Sequence, residues 1–232
     1  MTQLIRPGFF GGIVAADNRR VEFDYKNESL IQLNTPIDYL FIGDSITHFW
    51  ELKAYFNSPS QLLINRGIGG DTTEFLEKRW KADCLQLKPK VAIVMIGVND
   101  MKVLEPDGWN GIEGKSVQEV KEKILDHYLK IVEMCKQVNQ QLVICSILPT
   151  KMTFIQSWRE RNQCILEVNE ALKILCQTYG LIYVDYHQAM VAEDGCSIKD
   201  GLTFEGLHPI STGYSIMSSV LKETLAKHGM SI

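Results

Sequence analysis

The sequence predicts an α/β fold, a three-layer sandwich with a mainly parallel five-stranded sheet. Five short apolar segments have the character of buried strands, and four longer segments have the apolar spacing of helices. From residue 37 onward the two kinds of segment largely alternate. Strands joined through helices run parallel, and right-handed crossovers cover both faces of such a sheet with helices.

Each predicted strand is a run of apolar, often β-branched residues bounded by turn residues. The clearest is "KVAIVMIG", which lies between Pro89 and Gly97 and is typical of a strand buried on both faces. The predicted strands are residues 37–43, 61–67, 90–97, 141–149 and 181–185.

Each predicted helix carries apolar residues three and four positions apart. In the segment 116–138 these residues form one stripe from Val117 to Cys135. Gly180 stands where a helix C-terminus commonly takes a left-handed residue. The predicted helices are residues 72–87, 116–138, 157–180 and 211–229.

The chain of 232 residues is long enough for one domain with a large core. Residues 1–36 mix aromatic and charged side chains, and we expect an N-terminal extension packed on a domain that spans 37–232. The 24 basic and 28 acidic residues give a formal net charge of −4, which argues against nucleic acid as a partner. We find no secretory signal and no apolar run of the roughly 18 residues that a membrane span needs, so we expect a cytoplasmic protein.

Metal binding is not expected. The six cysteines have no CxxC spacing and most lie in apolar segments, which favours reduced, buried thiols. Asp185 and His187 follow the last strand, but the sequence offers no third ligand beside them.

Ser45 directly follows the first strand in "GDS", at the sheet edge where α/β proteins usually bind ligands. Serine after a strand is commonly a helix N-cap, yet such a turn also brings its hydroxyl close to backbone N–H groups that can stabilise an oxyanion. The G-x-S-x-G nucleophile elbow is not matched, because Thr47 occupies its second glycine position.

Two further motifs follow the next two strands. In "GIGGDTT", Gly70 and its neighbouring glycines allow a close backbone approach, although a tight turn capped by Asp71 or Thr72 is the structural alternative. A phosphate-binding loop is not supported, because no Gly-Lys-Ser/Thr follows. In "GVND", the amide of Asn99 can donate to an oxyanion or bond to local backbone.

The fourth motif, "GLHP", contains His208, and Glu205 lies three residues before it. A carboxylate at that spacing can fix the tautomer of the imidazole and stabilise its charged form. The four motifs together supply the groups that acyl transfer needs, namely a nucleophile, a base and oxyanion donors.

In identity, order and spacing these motifs resemble the SGNH (GDSL-type) hydrolase superfamily over about residues 37–228. The resemblance implies a flavodoxin-like sheet and ester hydrolysis through an acyl-serine, with no cofactor. It implies that Ser45 is the nucleophile and His208 the base. It also implies an oxyanion hole formed by the N–H groups of Ser45 and Gly70 and the side chain of Asn99.

The acid departs from the family pattern, which usually has aspartate three residues before the histidine. Glu205 is one methylene longer, and we predict that it orients His208. Asp200, which lies eight residues before the histidine, and a backbone carbonyl are the alternatives.

Four residues are expected to line the substrate pocket: Asp44, His48, Asp71 and Trp109. His48 is expected near the nucleophile without acting as the base, whereas Trp50 is expected in the core. Trp109 lies in the long connection 101–115, where it can line the acyl pocket or anchor a surface loop.

We therefore expect a serine ester hydrolase for short acyl esters, such as acetyl groups on a sugar or a lipid-like alcohol. A thioesterase or long-chain lipase on the same frame is one alternative, and a non-catalytic binding module is another. The expected partner is a small-molecule ester, and the sequence is compatible with a homo-oligomer.

Overall fold

The computed structural model describes residues 4–56, 58–106 and 113–232. Its five strands form one parallel sheet in the order β2-β1-β3-β4-β5, with helices on both sides, which confirms the predicted α/β class. The strands are β1 (Tyr39–Gly43), β2 (Leu63–Gly67), β3 (Val91–Met95), β4 (Gln141–Cys145) and β5 (Ile182–Val184).

The four helices predicted from apolar spacing are present, and shorter helices stand beside them. The α-helices are α1 (Asp17–Gln32), α2 (Ser45–His48), α3 (Leu52–Tyr55), α4 (Thr73–Asp83), α5 (Val117–Gln137), α6 (Trp158–Tyr179), α7 (Tyr186–Met190) and α8 (Ser211–Lys227). Short 3₁₀ segments span Leu85–Leu87 and Asp100–Leu104.

The described chain divides into two compact units. Unit 1 comprises Met1–Ile96 and His127–Val143, and unit 2 comprises Gly97–Asp126 and Ile144–Ile232. α1 belongs to unit 1 together with β1, β2 and β3. The boundary predicted after residue 36 stays a prediction.

The core of unit 1 surrounds β1, whose five residues are all buried. The ring of Phe41 lies 5.6 Å from that of Trp50 and 5.5 Å from that of Phe56, between ring centroids. Trp50 is buried as expected. The register pairs Gly43 at the end of β1 with Gly67 and Met95, so three parallel strands end at the same level.

In unit 2, asparagines of α6 explain why β4 ends at Cys145 although the apolar run continues to residue 149. Asn169 accepts from the N–H of Ile147 at 2.8 Å and donates to its carbonyl at 2.9 Å. Asn162 does the same for Thr150, with both bonds at 2.8 Å. Side chains of a helix therefore take over the backbone hydrogen bonds that a neighbouring strand would otherwise supply.

The remaining expectations concern thiols and membranes. All six cysteines are free thiols, and every one except Cys196 is buried. Within the part of the chain that the structure describes, no helix has both the length and the apolar character of a membrane span.

Candidate active site

Ser45 is the first residue of α2, directly after the end of β1. A Cβ atom at Gly43 would lie 2.1 Å from the carbonyl oxygen of Met95, so glycine is required for the strands to stay this close at the turn. The Oδ1 of Asp44 accepts from the N–H of Ile46 at 2.9 Å and caps the helix. Ser45 is 7% exposed.

The end of β2 and the glycines after it pack on the same short helix. A Cβ at Gly67 would lie 2.2 Å from the nitrogen of His48, so glycine is required there too. A Cβ at Gly69 would lie 3.8 Å from the Cβ of Ser45 and 3.7 Å from Nδ1 of His48. Gly70 has φ +79°, which favours glycine. Unit 1 thus brings Ser45, His48 and the glycine turn together.

Arg79 of α4 is a positioning residue that sequence reasoning missed. It is fully buried, and its guanidinium donates to the carbonyl of Gly43 at 3.0 Å and to that of Arg66 at 2.9 Å. It also pairs with Asp71 at 2.8 Å and with Asp83 at 3.0 Å. One side chain therefore ties the ends of β1 and β2 to the loop that carries Gly70.

Asp44 and Asp71, the two acids predicted to line the substrate pocket, are both buried. Asp71 is fully buried against Arg79, and its Oδ1 accepts from the N–H of Thr72 at 3.0 Å. Burial raises the pKa of Asp71, while the guanidinium of Arg79 opposes the shift. The carboxylate of Asp44 caps α2 through the N–H of Ile46. Their place in the substrate pocket stays a prediction.

His48 lines a cleft of about 660 Å³ in unit 1. Its ring stacks on Phe49 with the centroids 5.0 Å apart. Burial lowers the pKa of His48 below its usual 6.5, and the nearby charge of Arg19 lowers it further. The ring is therefore mainly neutral at pH 7.

Asn99 lies in unit 2, after a tight turn at the end of the β3 segment. Gly97 in that turn has φ +134°, and a Cβ there would lie 2.6 Å from Cδ1 of Ile147. Asn99 is buried, and its carbonyl accepts from the N–H of Lys102 at 3.3 Å as the 3₁₀ segment begins. The turn fixes the backbone of Asn99 in a helical conformation, with φ −76° and ψ −25°.

His208 and Glu205 lie in a narrow loop of unit 2. The N–H of Phe204 donates to the carbonyl of His208 at 2.9 Å. Oε1 of Glu205 contacts Nδ1 of His208 and also accepts from its backbone N–H at 3.4 Å. Both side chains are half-buried, at 29% and 31% exposure. The spacing of three residues does bring this carboxylate to the imidazole.

Gly206 anchors this loop to the backbone of Lys151. It has φ +88°, and a Cβ there would lie 2.3 Å from the carbonyl oxygen of Lys151. The N–H of Lys151 donates to the Gly206 carbonyl at 2.7 Å. Asp200, the alternative acid, is paired through its carboxylate with Nζ of the same lysine at 2.7 Å, and its side chain is 86% exposed.

The long connection after Asn99 is held at both stems within unit 2. The N–H of Lys115 donates to the carbonyl of Val103 at 2.7 Å, and the guanidinium of Arg161 pairs with Glu105 at 2.7 Å. Trp109, expected near the substrate, lies outside the described residues. Across the residues described, no group of three histidine, cysteine or acidic side chains could hold a metal ion.

Comparisons with known proteins show which family the motif-bearing part of the chain matches. A family model described as the GDSL-like lipase/acylhydrolase family matches residues 41–216. The chain is 26% identical over 209 residues to an acetylxylan esterase of Xylanibacter ruminicola, a match that covers 78% of this chain and 41% of that protein. The chain therefore spans less than half the length of this relative.

A second relative and a solved structure match over more of their length. The human platelet-activating factor acetylhydrolase IB subunit alpha2 is 28% identical over 195 residues, covering 81% of this chain and 76% of that one. A GDSL-like lipase structure from Bacteroides thetaiotaomicron superposes with a TM-score of 0.74 at 21% identity, covering 90% of this chain and 97% of that one. At this identity the structural likeness shows the fold.

Proposed function

The chain belongs to the GDSL-like lipase/acylhydrolase family, and on that premise we propose that it hydrolyses short acyl esters through an acyl-serine formed on Ser45. The observation that carries the proposal is the contact between Glu205 and His208. A binding module has no need of an oriented imidazole, whereas acyl transfer depends on one.

In the proposed reaction the Oγ of Ser45 attacks the ester carbonyl carbon while His208 takes its proton. Glu205 holds the Nδ1–H side of the ring, which leaves Nε2 as the proton acceptor, and stabilises the imidazolium. The oxyanion accepts hydrogen bonds from the N–H groups of Ser45 and Gly70 and from the amide of Asn99.

Collapse of this tetrahedral intermediate expels the alcohol, which takes the proton from His208, and leaves the acyl group on Ser45. Water then attacks the acyl-serine while His208 removes a proton from it. The second tetrahedral intermediate collapses to the carboxylic acid and regenerates the serine hydroxyl. No cofactor takes part in this scheme.

The proposed substrates are acetyl esters or others with a short acyl chain. Support comes from the names of the relatives, an acetylxylan esterase and an acetylhydrolase. One name refers to acetylxylan and the other to platelet-activating factor, and what the two names share is the acetyl group, so they support the acyl part of the substrate rather than the alcohol.

A chain-length series tests both parts of the proposal. We expect p-nitrophenyl acetate to be hydrolysed with a higher kcat/KM than the butyrate and the octanoate. Ser45→Ala should lower kcat by about 10³-fold or more without unfolding the protein. Ser219→Ala, at an exposed serine of α8, is the matched control.

Labelling locates the nucleophile independently. A serine-directed phosphonate should modify the wild-type protein at Ser45 and fail to modify Ser45→Ala. Full activity of Ser45→Ala, or labelling of another residue, would refute the acyl-serine mechanism. A preference for octanoate over acetate would refute the proposed substrate class and favour a long-chain lipase.

A further inference from the structure

The cleft that His48 lines is rich in cations. It is bounded by residues of α1, α2, α3 and β2, which is an edge strand of the sheet. Four of its lining side chains are positively charged and one is a carboxylate, that of Glu51. The cations are Arg19, Lys26, Lys53 and Arg66.

Arg66 differs from the other buried arginines of unit 1, because the residue is 4% exposed and its side chain bonds to uncharged groups. Nε donates to Oδ1 of Asn27 at 2.9 Å, and Nη1 donates to the carbonyl of Asn65 at 3.0 Å. Its Cζ lies 4.9 Å from the ring centroid of Phe23. All three partners are uncharged, and Arg66 forms no ion pair with any residue that the structure describes. Two of its five N–H donors are used in these bonds.

The neighbouring buried arginines, unlike Arg66, form ion pairs with acidic side chains. Arg20 pairs with Asp24 at 2.5 Å and also with Asp83. Arg79 pairs with Asp83 at 3.0 Å and with Asp71 at 2.8 Å. Buried cations are ordinarily compensated in this way. Burial lowers the pKa of Arg66 to about 10, and the charge of Asp83, which forms no ion pair with Arg66, only partly opposes the shift.

The surrounding acids do not neutralise the cleft. Glu22 contacts both Arg19, at 2.7 Å, and Lys26, at 2.5 Å. Glu22 and Glu51 therefore oppose four lining cations, and Asp83, which attracts Arg66 from the interior, is already paired with two other arginines. Lys53 is exposed and forms no ion pair within the described part of the chain.

The cleft reaches the turn that carries the proposed nucleophile. His48 lies in the cleft wall, three residues after Ser45 on the same short helix. A Cβ at Gly69 would lie 3.7 Å from Nδ1 of His48 and 3.8 Å from the Cβ of Ser45. His48 therefore connects the wall of the cleft to the turn that carries Ser45.

We propose that this cleft binds an anionic group of the substrate, so that the preferred esters carry a carboxylate or a phosphate close to the scissile acyl group. The inference rests on the proposed ester hydrolysis and adds a substrate class to it. The planar guanidinium of Arg66 supplies paired donors to an oxyanion group, and Lys53 adds a flexible point charge at the cleft mouth.

Matched ester pairs test the proposal in the complete protein. The alcohol-side pair is 4-acetoxybenzoate and 4-acetoxybenzamide, and 4-acetoxyphenyl phosphate replaces the carboxylate by a phosphate. The acyl-side pair is the 4-nitrophenyl monoester of succinate and its methyl ester. We expect at least one anionic ester to exceed its neutral partner in kcat/KM by roughly tenfold, as for a charge-assisted hydrogen bond. The preference should shrink as salt is raised.

Charge variants connect this preference to the cleft. Lys53→Glu should lower the anionic-to-neutral ratio of kcat/KM by about threefold or more, because it reverses a charge at the cleft. Arg66→Met should lower it further, provided that its thermal unfolding shows a folded protein. Lys81→Gln, at an exposed lysine of unit 1 outside the cleft, should leave the ratio unchanged.

The outcomes separate this inference from the proposed function. Equal hydrolysis of charged and neutral partners, with no response to Lys53→Glu, would overturn the anion subsite and leave the esterase proposal intact. If no ester is hydrolysed, the esterase proposal fails. Calorimetric titration with inorganic phosphate then tests whether the cleft binds an anion. Phosphate binding that weakens in Lys53→Glu supports the subsite, and absence of binding to the wild-type protein refutes it.

Discussion

The two units hold their proposed catalytic groups in contrasting ways. The turn that carries Ser45 in unit 1 is tied by a fully buried guanidinium, that of Arg79, to the ends of two strands. The loop that carries His208 in unit 2 is held by backbone hydrogen bonds, and its Glu205 partner is half-exposed.

Because of this difference, we expect substitutions in the two regions to affect different quantities, the stability of the fold in one and the rate of the reaction in the other. Removing a buried, paired charge leaves its partners uncompensated in the interior, so changes near the Ser45 turn should act mainly on stability. The Glu205 side chain is 29% exposed and its Oε2 is buried without a hydrogen-bond partner among the described residues, so replacing this carboxylate should cost the fold little. Changes near His208 should therefore act mainly on the rate.

The largest expected effect on stability is that of Arg79→Met. It leaves the carboxylate of Asp71 buried without its cation and removes one of the two arginines that pair with Asp83, so we expect the free energy of unfolding to fall by about 3–5 kcal/mol. Urea unfolding measures the change. The matched control is Lys78→Met, the preceding exposed residue, which loses a surface pair with Glu74 and should cost below about 1 kcal/mol. Equal effects of the two variants would contradict a positioning role for Arg79.

Asn99→Ala tests a group that is buried but proposed to act only in the transition state. Loss of one oxyanion donor should lower kcat by roughly 100- to 1000-fold with KM little changed. Steady-state kinetics on p-nitrophenyl acetate give both constants. A rise in KM alone would identify Asn99 as a substrate-binding residue instead.

Glu205→Gln tests the half-exposed carboxylate. We expect kcat to fall by about 100-fold while thermal unfolding stays close to that of wild type, because the amide no longer stabilises the imidazolium. Glu205→Asp should retain more activity than Glu205→Gln, since the charge remains. Asp200→Asn, which breaks an exposed pair with Lys151, is the control and should have little effect. The reverse ranking of Glu205→Gln and Asp200→Asn would make Asp200 the acid.

The smallest expected effect concerns His187 in unit 2. Burial lowers its pKa below 6.5, although Asp185 opposes the shift. The folded state therefore binds a proton less readily than the unfolded state, and the free energy of unfolding should fall as pH drops below about 6.5. His187→Phe should remove at most about 1 kcal/mol of this dependence between pH 7 and 5. A pH profile of urea unfolding that is the same for wild type and His187→Phe would contradict this assignment.

Apolar patterning predicted the strands and the long helices because those elements bury apolar faces. It missed α1, whose buried face includes Arg20, Asp24 and Asn27 beside Phe23. These residues have helical spacing, but three of them are polar, so hydrophobic periodicity gives no signal. The end of β4 was missed for a related reason, since the asparagines that replace strand hydrogen bonds lie on α6.

Spacing along the sequence predicted the part of the site whose residues are close in sequence. It could not predict contacts between residues that are far apart in sequence. The spacing of three positions from Glu205 to His208 was enough to predict their contact. Nothing local distinguishes Arg79 in "EKRWK" from a hydrated helix residue, because its partners Gly43 and Asp71 lie in other segments. The burial of Asp71 could not be predicted for the same reason, since it depends on that arginine.

The polar face of α1 also limits how far the N-terminus of this protein can be shortened without loss of the fold. The family match begins at residue 41, yet Asn27 donates to the Asp83 carboxylate at 2.9 Å and accepts from Arg66, and Arg20 pairs with Asp83 as well. A chain truncated to begin at residue 41 would lack Arg20 and Asn27, so the buried Asp83 and Arg66 would lose these partners. The segment that matches the family model, residues 41–216, is therefore shorter than the segment that this protein needs to keep its buried charges paired.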